Sequence, residues 1–417
     1  MMISSRLRIK VKDFFPALRH RNFRYYWFGM IVSLTGTWIQ NIGLSWLIYS
    51  ITKSPFLLGL AGTLQFLPML LLSLFAGAVI DKLPKRKILI LTQGLSMVTA
   101  SSMGILVFTG HIRYWHILVL ATLLGLINTF DMPTRQSFMI ELVGRSDLMN
   151  AIALNSAVFN AARIVGPAIA GILMGFAGIA FCFILNALSF IPVLIGLVRI
   201  DTEPVIRHRS AGESLLYEVR QGLVYISGSR ILYRNILSVT VISIFAMNFS
   251  VLVPVLVKNI LNHGEMGFGF LMSFMGIGSL SGALLTAVNS KIKPGRLVLI
   301  LNPLCVAVLL VMIGLSGHYY FTAILLAAAG FFITSFFTTA NSTLQVNSKD
   351  EFRGRVISVY TLVFGGTTPI GNFFTGSIAE KLGPQAGFII CGIIILVFSA
   401  VLLAKKDRNK AGIEGNY

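Results

Sequence analysis

The stretch Asn-Ala-Ala-Arg-Ile-Val-Gly-Pro-Ala-Ile-Ala-Gly, residues 160–171, places a positive charge in the middle of a long apolar run. The run extends from Ala151 to Ala177, long enough to cross a bilayer. A lone Arg at the centre of a membrane helix costs about 2.5–3.5 kcal/mol on insertion scales, so such a residue faces a protein interior or a water-filled cavity. The stretch therefore predicts a membrane-spanning helix with one polar face along a path through the protein.

The composition of the whole chain indicates a membrane protein. Of its 417 residues, 55% are hydrophobic and only 12% are charged, and the mean hydropathy is +0.82. The net charge of +19 does not indicate a nucleic-acid partner, because the basic residues lie in short loops between apolar runs. Loops that face anionic lipid at a cytoplasmic surface produce the same charge. We therefore expect a lipid bilayer, and no nucleic acid, as the partner of these charges.

Apolar windows predict an all-α integral membrane protein with twelve transmembrane helices in two six-helix pseudo-repeats. A weak internal repeat supports the two halves, since Gly166 and Gly171 recur as Gly371 and Gly376 at an offset of 205 residues. The predicted spans are 26–50, 55–80, 88–109, 114–138, 150–176, 178–198, 235–261, 267–289, 297–317, 319–345, 355–379 and 386–404.

The distribution of Lys and Arg predicts the orientation. Of the 34 basic residues, 29 fall on one side of the predicted spans and four on the other, with Arg163 inside a span. The positive-inside rule then places both termini in the cytoplasm. The predicted domains are a basic segment 1–25, a six-helix bundle 26–198, a linker 199–234 containing an amphipathic helix, a second bundle 235–404 and a cytoplasmic tail 405–417.

The loop after the second span carries the first recognisable motif. It reads Gly77-Ala-Val-Ile-Asp81-Lys82-Leu-Pro84-Lys85-Arg86-Lys87, with an acid at a helix end followed by bases. This loop resembles the signature G-x-x-x-D-R-x-G-R-R of the major facilitator superfamily. The resemblance implies a loop that braces the cytoplasmic end, with Asp81 as the acid and Lys85 and Arg86 as bases. Pro84 stands where the family has its second glycine, and Ser290 stands where the second-half copy of the loop would carry an acid.

Asp131 is the only acid that we place inside a span, and Arg135 follows it one turn later on the same face. In the superfamily, an acid at this end of the fourth span can join the loop bases in a charge relay. The resemblance implies that role for Asp131, Arg135, Asp81 and Lys85. Two alternatives remain open, in which Asp131 carries the coupling proton or forms a purely structural ion pair.

Gly166, Pro167 and Gly171 in the fifth span resemble the antiporter motif of the superfamily, although Ala170 replaces one of its glycines. Arg163 either contacts an anionic substrate or serves a structural role. Its depth differs from that of Asp131 by about 9 Å at 1.5 Å per residue, which disfavours a tight pair between them. Polar residues that we expect to line a substrate cavity are Trp38, Gln40, Asn41, Asn155, Asn160, Arg163, Thr367 and Asn372, with Trp46 and Thr368 as further members.

Several stretches together resemble one bacterial branch, the enterobactin-exporter-like or transmembrane secretion effector family. They are WIQNIGLSWLIYSITKSP, LGLAGTLQFLPMLLL, DMPTRQSF, NSAVFNAARIVGPAIAG and RGRVISVY, within residues 14–400. The branch includes macrolide-type drug exporters. The resemblance implies a multi-pass protein of the inner membrane that exports a small molecule by alternating access, driven by protons.

The alternatives are an importer or facilitator of a nutrient such as a sugar or organic acid, and a receptor or assembly factor without transport. Charges inside spans disfavour the receptor. An ATP-driven pump is disfavoured because the chain lacks a G-x-x-x-x-G-K-S/T loop. We expect no enzyme activity, cofactor or metal site, since the six histidines lie at span edges or in loops and the three cysteines lie alone in apolar runs. We expect a monomer.

Overall fold

The computed structural model describes residues 15–201, 215–288 and 298–411. Within these ranges, all regular secondary structure is helical. A short 3₁₀ turn at Pro16–Arg19 precedes the first long helix. The helices are α1 Arg21–Thr52, α2 Pro55–Lys82, α3 Lys85–Phe108, α4 Tyr114–Val143, α5 Leu148–Phe176, α6 Ala180–Arg199, α7 Leu215–Ser227, α8 Arg230–Ala246, α9 Phe249–Asn259, α10 Glu265–Val288, α11 Val298–Leu315, α12 Tyr319–Val346, α13 Asp350–Gly366 and α14 Thr368–Ala411.

Ten segments of the described chain are long and apolar enough to cross a membrane. The prediction of an all-helical, multi-pass membrane protein is therefore confirmed. The last segment, Asp350–Leu403, contains 54 residues, and Gly383 interrupts its helix with a φ of 84°. The helix α1 is 32 residues long but is not among the ten segments. The count of twelve spans stays a prediction.

The chain divides into two compact units. The first unit contains Met1–Leu44 and Leu71–Gly212, and the second contains Ser45–Leu70 and Glu213–Tyr417. The helices α1 and α2 therefore each contribute to both units. Four predicted segments lie partly outside the described residues: the basic segment at 1–14, the linker at 202–214, the second-half loop at 289–297 and the tail at 412–417.

The core of the first unit is a cluster of buried apolar side chains from α1 and α3–α6. Tyr26 of α1 meets Phe138 of α4 edge to face, with ring centroids 5.8 Å apart, and Val193 and Leu197 of α6 are fully buried beside them. Since lipid tails are as apolar as these side chains, close packing rather than exclusion of water stabilises such contacts in a bilayer. The cluster positions the ends of α3 and α4, where the charged residues lie.

In the second unit, α10 and α12 approach each other through glycine. A Cβ atom added to Gly278 would lie 1.7 Å from the carbonyl oxygen of Ala327, and one added to Gly330 would lie 2.2 Å from that of Met275. Only glycine allows the two backbones to come this close. The pair therefore tolerates no larger residue at these crossing points.

The predicted amphipathic helix of the linker is present as α7. Tyr225 stacks on Phe352 of α13 with ring centroids 4.4 Å apart, and its hydroxyl accepts a hydrogen bond from the Lys349 backbone N–H. Gly222 lies against the Arg355 carbonyl. On another face of α7, Leu223 and Val224 are exposed. The helix is therefore fixed to the start of α13 rather than being a free tether.

Candidate functional site

The helix α5 carries a polar face at mid-span. Asn155, Phe159 and Arg163 recur every four residues, so they lie on one side of the helix. Arg163 is half-buried, and no residue in the described ranges forms a hydrogen bond or ion pair with it. Asn160 lies one turn before Arg163, and its Nδ2 donates to the Ser156 carbonyl. The face therefore presents an uncompensated positive charge, which is costly in lipid and indicates contact with water or with a ligand.

Aromatic rings border this face. Trp38 of α1 packs edge to face on Phe159, with centroids 5.8 Å apart. The two helices approach closely at Gly166, where an added Cβ would lie 2.5 Å from the Trp38 Cβ. Pro167 and Gly171 are buried beside it. The structure thus brings the glycine of the predicted motif together with the tryptophan of the predicted cavity wall, and Arg163 lies one turn away.

The other polar residues of α1 differ in their surroundings. Gln40 is buried, and its Oε1 accepts a hydrogen bond of 2.7 Å from Asn186 Nδ2 on α6. This side chain therefore ties α1 to α6. Its partner lies 146 positions away, and the sequence pattern does not indicate the pairing. A role of Gln40 in a substrate cavity stays a prediction. Asn41 is half-buried and has a polar partner within the described chain.

Asp131 is the centre of a buried polar network between α3 and α4. Its carboxylate accepts hydrogen bonds of 2.7 Å from Thr92 Oγ1 and from Gln93 Nε2, and it forms an ion pair with Arg135. The Arg135 guanidinium also reaches the Met30 sulfur. Asp131 is 3% exposed. Asp131 thus pairs with Arg135, and two neutral donors from α3 also compensate the buried carboxylate.

The basic residues after α2 have other partners. Lys85 Nζ lies 2.6 Å from Glu141 Oε1, and both side chains are buried. Arg86 donates to the carbonyls of Leu197 and Val198, so it caps the last turn of α6. A Cβ added to Gly77 would meet nothing within 4 Å, and the side chain of Asp81 lies outside the described residues.

The two predicted cavity residues near the start of α14 do not share one environment. Thr367 is half-buried, and its hydroxyl donates to the Val363 carbonyl. Asn372 is 2% exposed and packs on α2, where an added Cβ at Gly62 would lie 2.7 Å from its Nδ2. Asn372 therefore lies in the contact between α2 and α14 within the second unit, where glycines of α2 let that helix cover it.

Sequence reasoning missed a polar cluster in the second unit, which we call the Trp46 cluster: Trp46, Tyr49, Lys258, Asn259 and Glu265. Trp46 Nε1 donates to Glu265 Oε1 at 3.1 Å, and Tyr49 Oη donates to Asn259 Oδ1 at 2.9 Å. The Lys258 ammonium lies 5.5 Å from the centroid of the Trp46 ring. The sequence signal for this cluster was a tryptophan and a tyrosine three residues apart near a helix end. Their partners could not be predicted, because they lie more than 200 positions away.

Comparison with known sequences agrees with this architecture. Residues 13–411 match the transmembrane secretion effector family. The chain is 25% identical over 403 residues to the staphyloferrin A transporter of Staphylococcus aureus, covering 94% of this chain and 98% of that protein. It is 25% identical over 393 residues to the multidrug efflux pump Tap of Mycolicibacterium fortuitum, and 21% identical over 385 residues to macrolide efflux protein A of Streptococcus pyogenes. These matches cover 90% of this chain and 93% of each relative.

Solved structures show the same fold. The nucleoside transporter NupG superposes with a TM-score of 0.73 at 10% identity, covering 92% of this chain and 98% of that one. A bacterial homologue of the human lysosomal transporter Spinster gives a TM-score of 0.71 at 13% identity, over 91% of this chain and 96% of the homologue. The chain belongs to the transmembrane secretion effector family of the major facilitator superfamily and is a multi-pass membrane transporter.

Proposed function

We propose that the protein exports a small, amphipathic organic compound by alternating access, in exchange for protons. It would do so in the bacterial inner membrane, as a monomer with both termini in the cytoplasm. The relatives named efflux pumps and efflux proteins support the direction of transport, and their similarity extends over nearly the whole chain. The excess of basic residues on one side of the spans supports the orientation.

The observation that carries the proposal is the uncompensated positive charge on α5. Arg163 is half-buried and has no partner among the described residues, and Phe159, which pairs with Trp38 of α1, lies one turn before it. A guanidinium binds carboxylate, phosphate or other oxyanions through several N–H groups at once, and aromatic rings bind planar apolar groups. We therefore assign to the substrate an anionic group next to an aromatic or apolar body.

We propose twelve spans. The helix α1 is long enough to cross once, and its polar residues explain why its mean hydropathy is low. Gly383 divides α14, so that α13 with the first part of α14 forms one span and the remainder forms another. The two six-helix bundles at 26–198 and 235–404 would then be the pseudo-repeats, with α7 in the linker between them.

We assign the cytoplasmic gate to the ends of α2, α3 and α4. The Asp131–Arg135 pair and the Lys85–Glu141 pair are both buried there, and Arg86 caps α6. Breaking a buried ion pair by removing one partner is costly, so such pairs favour one conformation over another. Asp131 is also the first candidate for the coupling proton, since it is the only acid within a predicted span.

The test is transport in inside-out vesicles that contain the purified protein. A pH-sensitive dye reports proton release from the vesicle lumen after addition of an aryl carboxylate, a macrolide or a cationic drug. We expect a signal with the anionic compound that requires the protein and an imposed proton gradient. Accumulation of a compound in right-side-out vesicles without any proton movement would instead establish an importer or facilitator.

A further inference from the structure

A cavity of about 680 Å³ lies between α2 and the first part of α14, within the second unit. Its wall on α2 consists of Thr63, Leu67 and Leu70, which follow one another at helical spacing on a single face. The wall on α14 is a matching stripe that includes Phe373 and Phe374. None of the residues described so far as gate or polar-face residues lines this cavity.

Apart from Lys381 at one end, the walls offer few free polar groups to a polar ligand. The Thr63 hydroxyl donates to the carbonyls of Gly59 and Pro369, and the Ser377 hydroxyl donates to the Phe373 carbonyl. Both hydroxyls are therefore satisfied by backbone, and the remaining wall is almost entirely hydrocarbon. A chain of methylene groups fits such a wall, whereas a compound with many hydrogen-bonding groups would lose its hydration there without compensation.

The cavity is an open groove rather than a closed void. Ile370, Phe373 and Leu382 on its α14 wall are 54%, 48% and 64% exposed. The two helices touch at Gly59, where an added Cβ would lie 2.4 Å from the Asn372 carbonyl, and they leave the groove beside this contact. Apolar side chains this exposed on a membrane-spanning helix are suited to contact with lipid, so we place the opening of the groove toward the bilayer.

The length of the groove matches one leaflet. Its α14 wall runs from Pro369 to Leu382, which are thirteen residues and about 20 Å apart at 1.5 Å per residue. Half of a bilayer is about 15 Å of hydrocarbon core, or about 20 Å with the headgroup region included. An acyl chain that enters at Leu382 would therefore end near mid-membrane, at Pro369 and Leu70.

A cation stands at the entrance. Lys381 lines the groove, is exposed and has no ion pair with any described residue. The neighbouring Glu380 is already engaged, because its Oε2 accepts from the Ser54 hydroxyl and from the Phe56 N–H at the start of α2. The free charge at the entrance is thus positive, and it lies at the end of the groove that the predicted spans place near the membrane surface.

We propose that this groove, defined by Thr63–Leu70 and Pro369–Leu382, binds an anionic phospholipid of the leaflet that the positive-inside rule identifies as the outer one. One acyl chain lies between α2 and α14, and the phosphate contacts the Lys381 ammonium. The site depends on insertion into a membrane and not on the transported compound or on protons. The lipid proposal can therefore fail while the proposed export holds, and the reverse.

Native mass spectrometry of the purified full-length protein tests this binding. The protein is released from vesicles containing phosphatidylglycerol and phosphatidylethanolamine with identical acyl chains, and the retained lipids are counted. We expect Lys381→Gln to reduce retained phosphatidylglycerol by at least about fivefold, since one Lys near a headgroup contributes that much. Retained phosphatidylethanolamine should fall less, because its own ammonium group offsets the charge of its phosphate. Ser377→Trp fills the groove and should reduce both lipids.

Matched controls separate the groove from general effects. Arg113→Gln removes an exposed cation on the same predicted side, and Leu396→Trp adds an indole at an exposed site of α14 outside the groove. Both should retain lipid as the wild type does. Unchanged retention in both groove variants overturns the proposal, and so does an equal loss in the controls. Displacement of the retained lipid by a transported compound would assign the groove to substrate instead and would likewise overturn it.

Discussion

Arg163 and Asp131 are both charged residues within membrane helices, but their surroundings differ. Asp131 is buried and compensated by Arg135, Thr92 and Gln93. Arg163 is half-buried and uncompensated among the described residues. A compensated buried charge needs its partners to remain in place, whereas an uncompensated charge inside a membrane helix indicates contact with water or a ligand. We therefore expect the two residues to respond differently to neutralisation.

Replacement of Arg163 by Gln should weaken transport of anionic compounds by about 10- to 100-fold, because a hydrogen bond to a charged group contributes about 1.5–3 kcal/mol. Transport of cationic compounds should change little. Initial rates of uptake into inside-out vesicles measure both. Arg163→Lys keeps the charge but not the forked geometry, and should recover part of the loss. An equal loss for anions and cations would indicate a structural role.

Replacement of Asp131 by Asn should abolish gradient-driven export while the protein still inserts. The double variant Asp131→Asn/Arg135→Gln distinguishes the reasons, since it removes both charges of the pair. Recovery of transport in the double variant would identify a structural ion pair, and continued loss would support the gate or the proton carrier. Full transport by Asp131→Asn alone would remove the residue from every proposed role. Thr92→Val is the control, because it deletes one neutral donor to Asp131 but leaves both charges of the pair in place.

At the scale of helices, the contact between α1 and α5 depends on Gly166. Gly166→Ala places a Cβ within 2.5 Å of Trp38, and overpacking of this kind costs about 1–3 kcal/mol. We expect a lower melting temperature in detergent and a displaced Trp38 ring. Gly94→Ala is a matched control, because an added Cβ there meets nothing within 4 Å. It should leave the melting temperature unchanged or raise it slightly. Equal melting of the two variants would contradict the close contact.

The Trp46 cluster holds the end of α1 against α9 and α10 through side chains. Trp46→Phe keeps the stacking on Phe268, at 5.7 Å between centroids, but removes the N–H that Glu265 accepts. With Glu265→Ala, which removes the acceptor, it forms a double-mutant cycle in which we expect a coupling of about 1 kcal/mol in unfolding free energy. Tyr49→Phe deletes the separate hydrogen bond to Asn259. Its change in unfolding free energy should add to that of Trp46→Phe without coupling. A coupling of zero would mean that the indole and the carboxylate do not interact in the membrane.

The repeat seen in the sequence has a counterpart in helix contacts. Gly166 of α5 packs on α1, and Gly371 of α14 packs on the Ile244 carbonyl of α8, where an added Cβ would lie 2.3 Å away. In each half, the helix that carries the paired glycine meets the helix that begins that half. This agreement supports the proposed pseudo-repeats, which the sequence indicated only through a few glycines at constant offset.

Element bounds were largely predictable from apolar windows, while partners were not. The windows 178–198 and 319–345 match Ala180–Arg199 and Tyr319–Val346 closely. The window 355–379 contains a helix break that its apolar character does not indicate, since α13 ends at Gly366 and α14 starts at Thr368. The break lies next to Pro369, which lacks the N–H that a continuous helix needs. The pairs Gln40–Asn186 and Lys85–Glu141 join different helices. Periodicity predicts which face is apolar but does not indicate which helix covers it.

At the scale of the whole molecule, the orientation is directly testable. A variant with Cys182, Cys305 and Cys391 replaced carries one new cysteine at Arg113, Lys381, Arg145 or Lys349. We expect an impermeant maleimide to label positions 113 and 381 in intact cells, and positions 145 and 349 only after permeabilisation, because the basic loops remain in the cytoplasm. The reverse pattern would invert the proposed topology, and mixed labelling would contradict the count of spans.

The arrangement around Trp46 also allows intrinsic tryptophan fluorescence to report on this contact. Only four tryptophans occur in the chain, and this one combines a carboxylate on its N–H, an ammonium over its ring and a stacked phenyl group. Indole emission responds to nearby charge, so separation of these groups would change its wavelength and intensity. A variant that retains this indole alone would report, without any attached dye and on the timescale of mixing, when the end of α1 leaves its partners during a transport cycle.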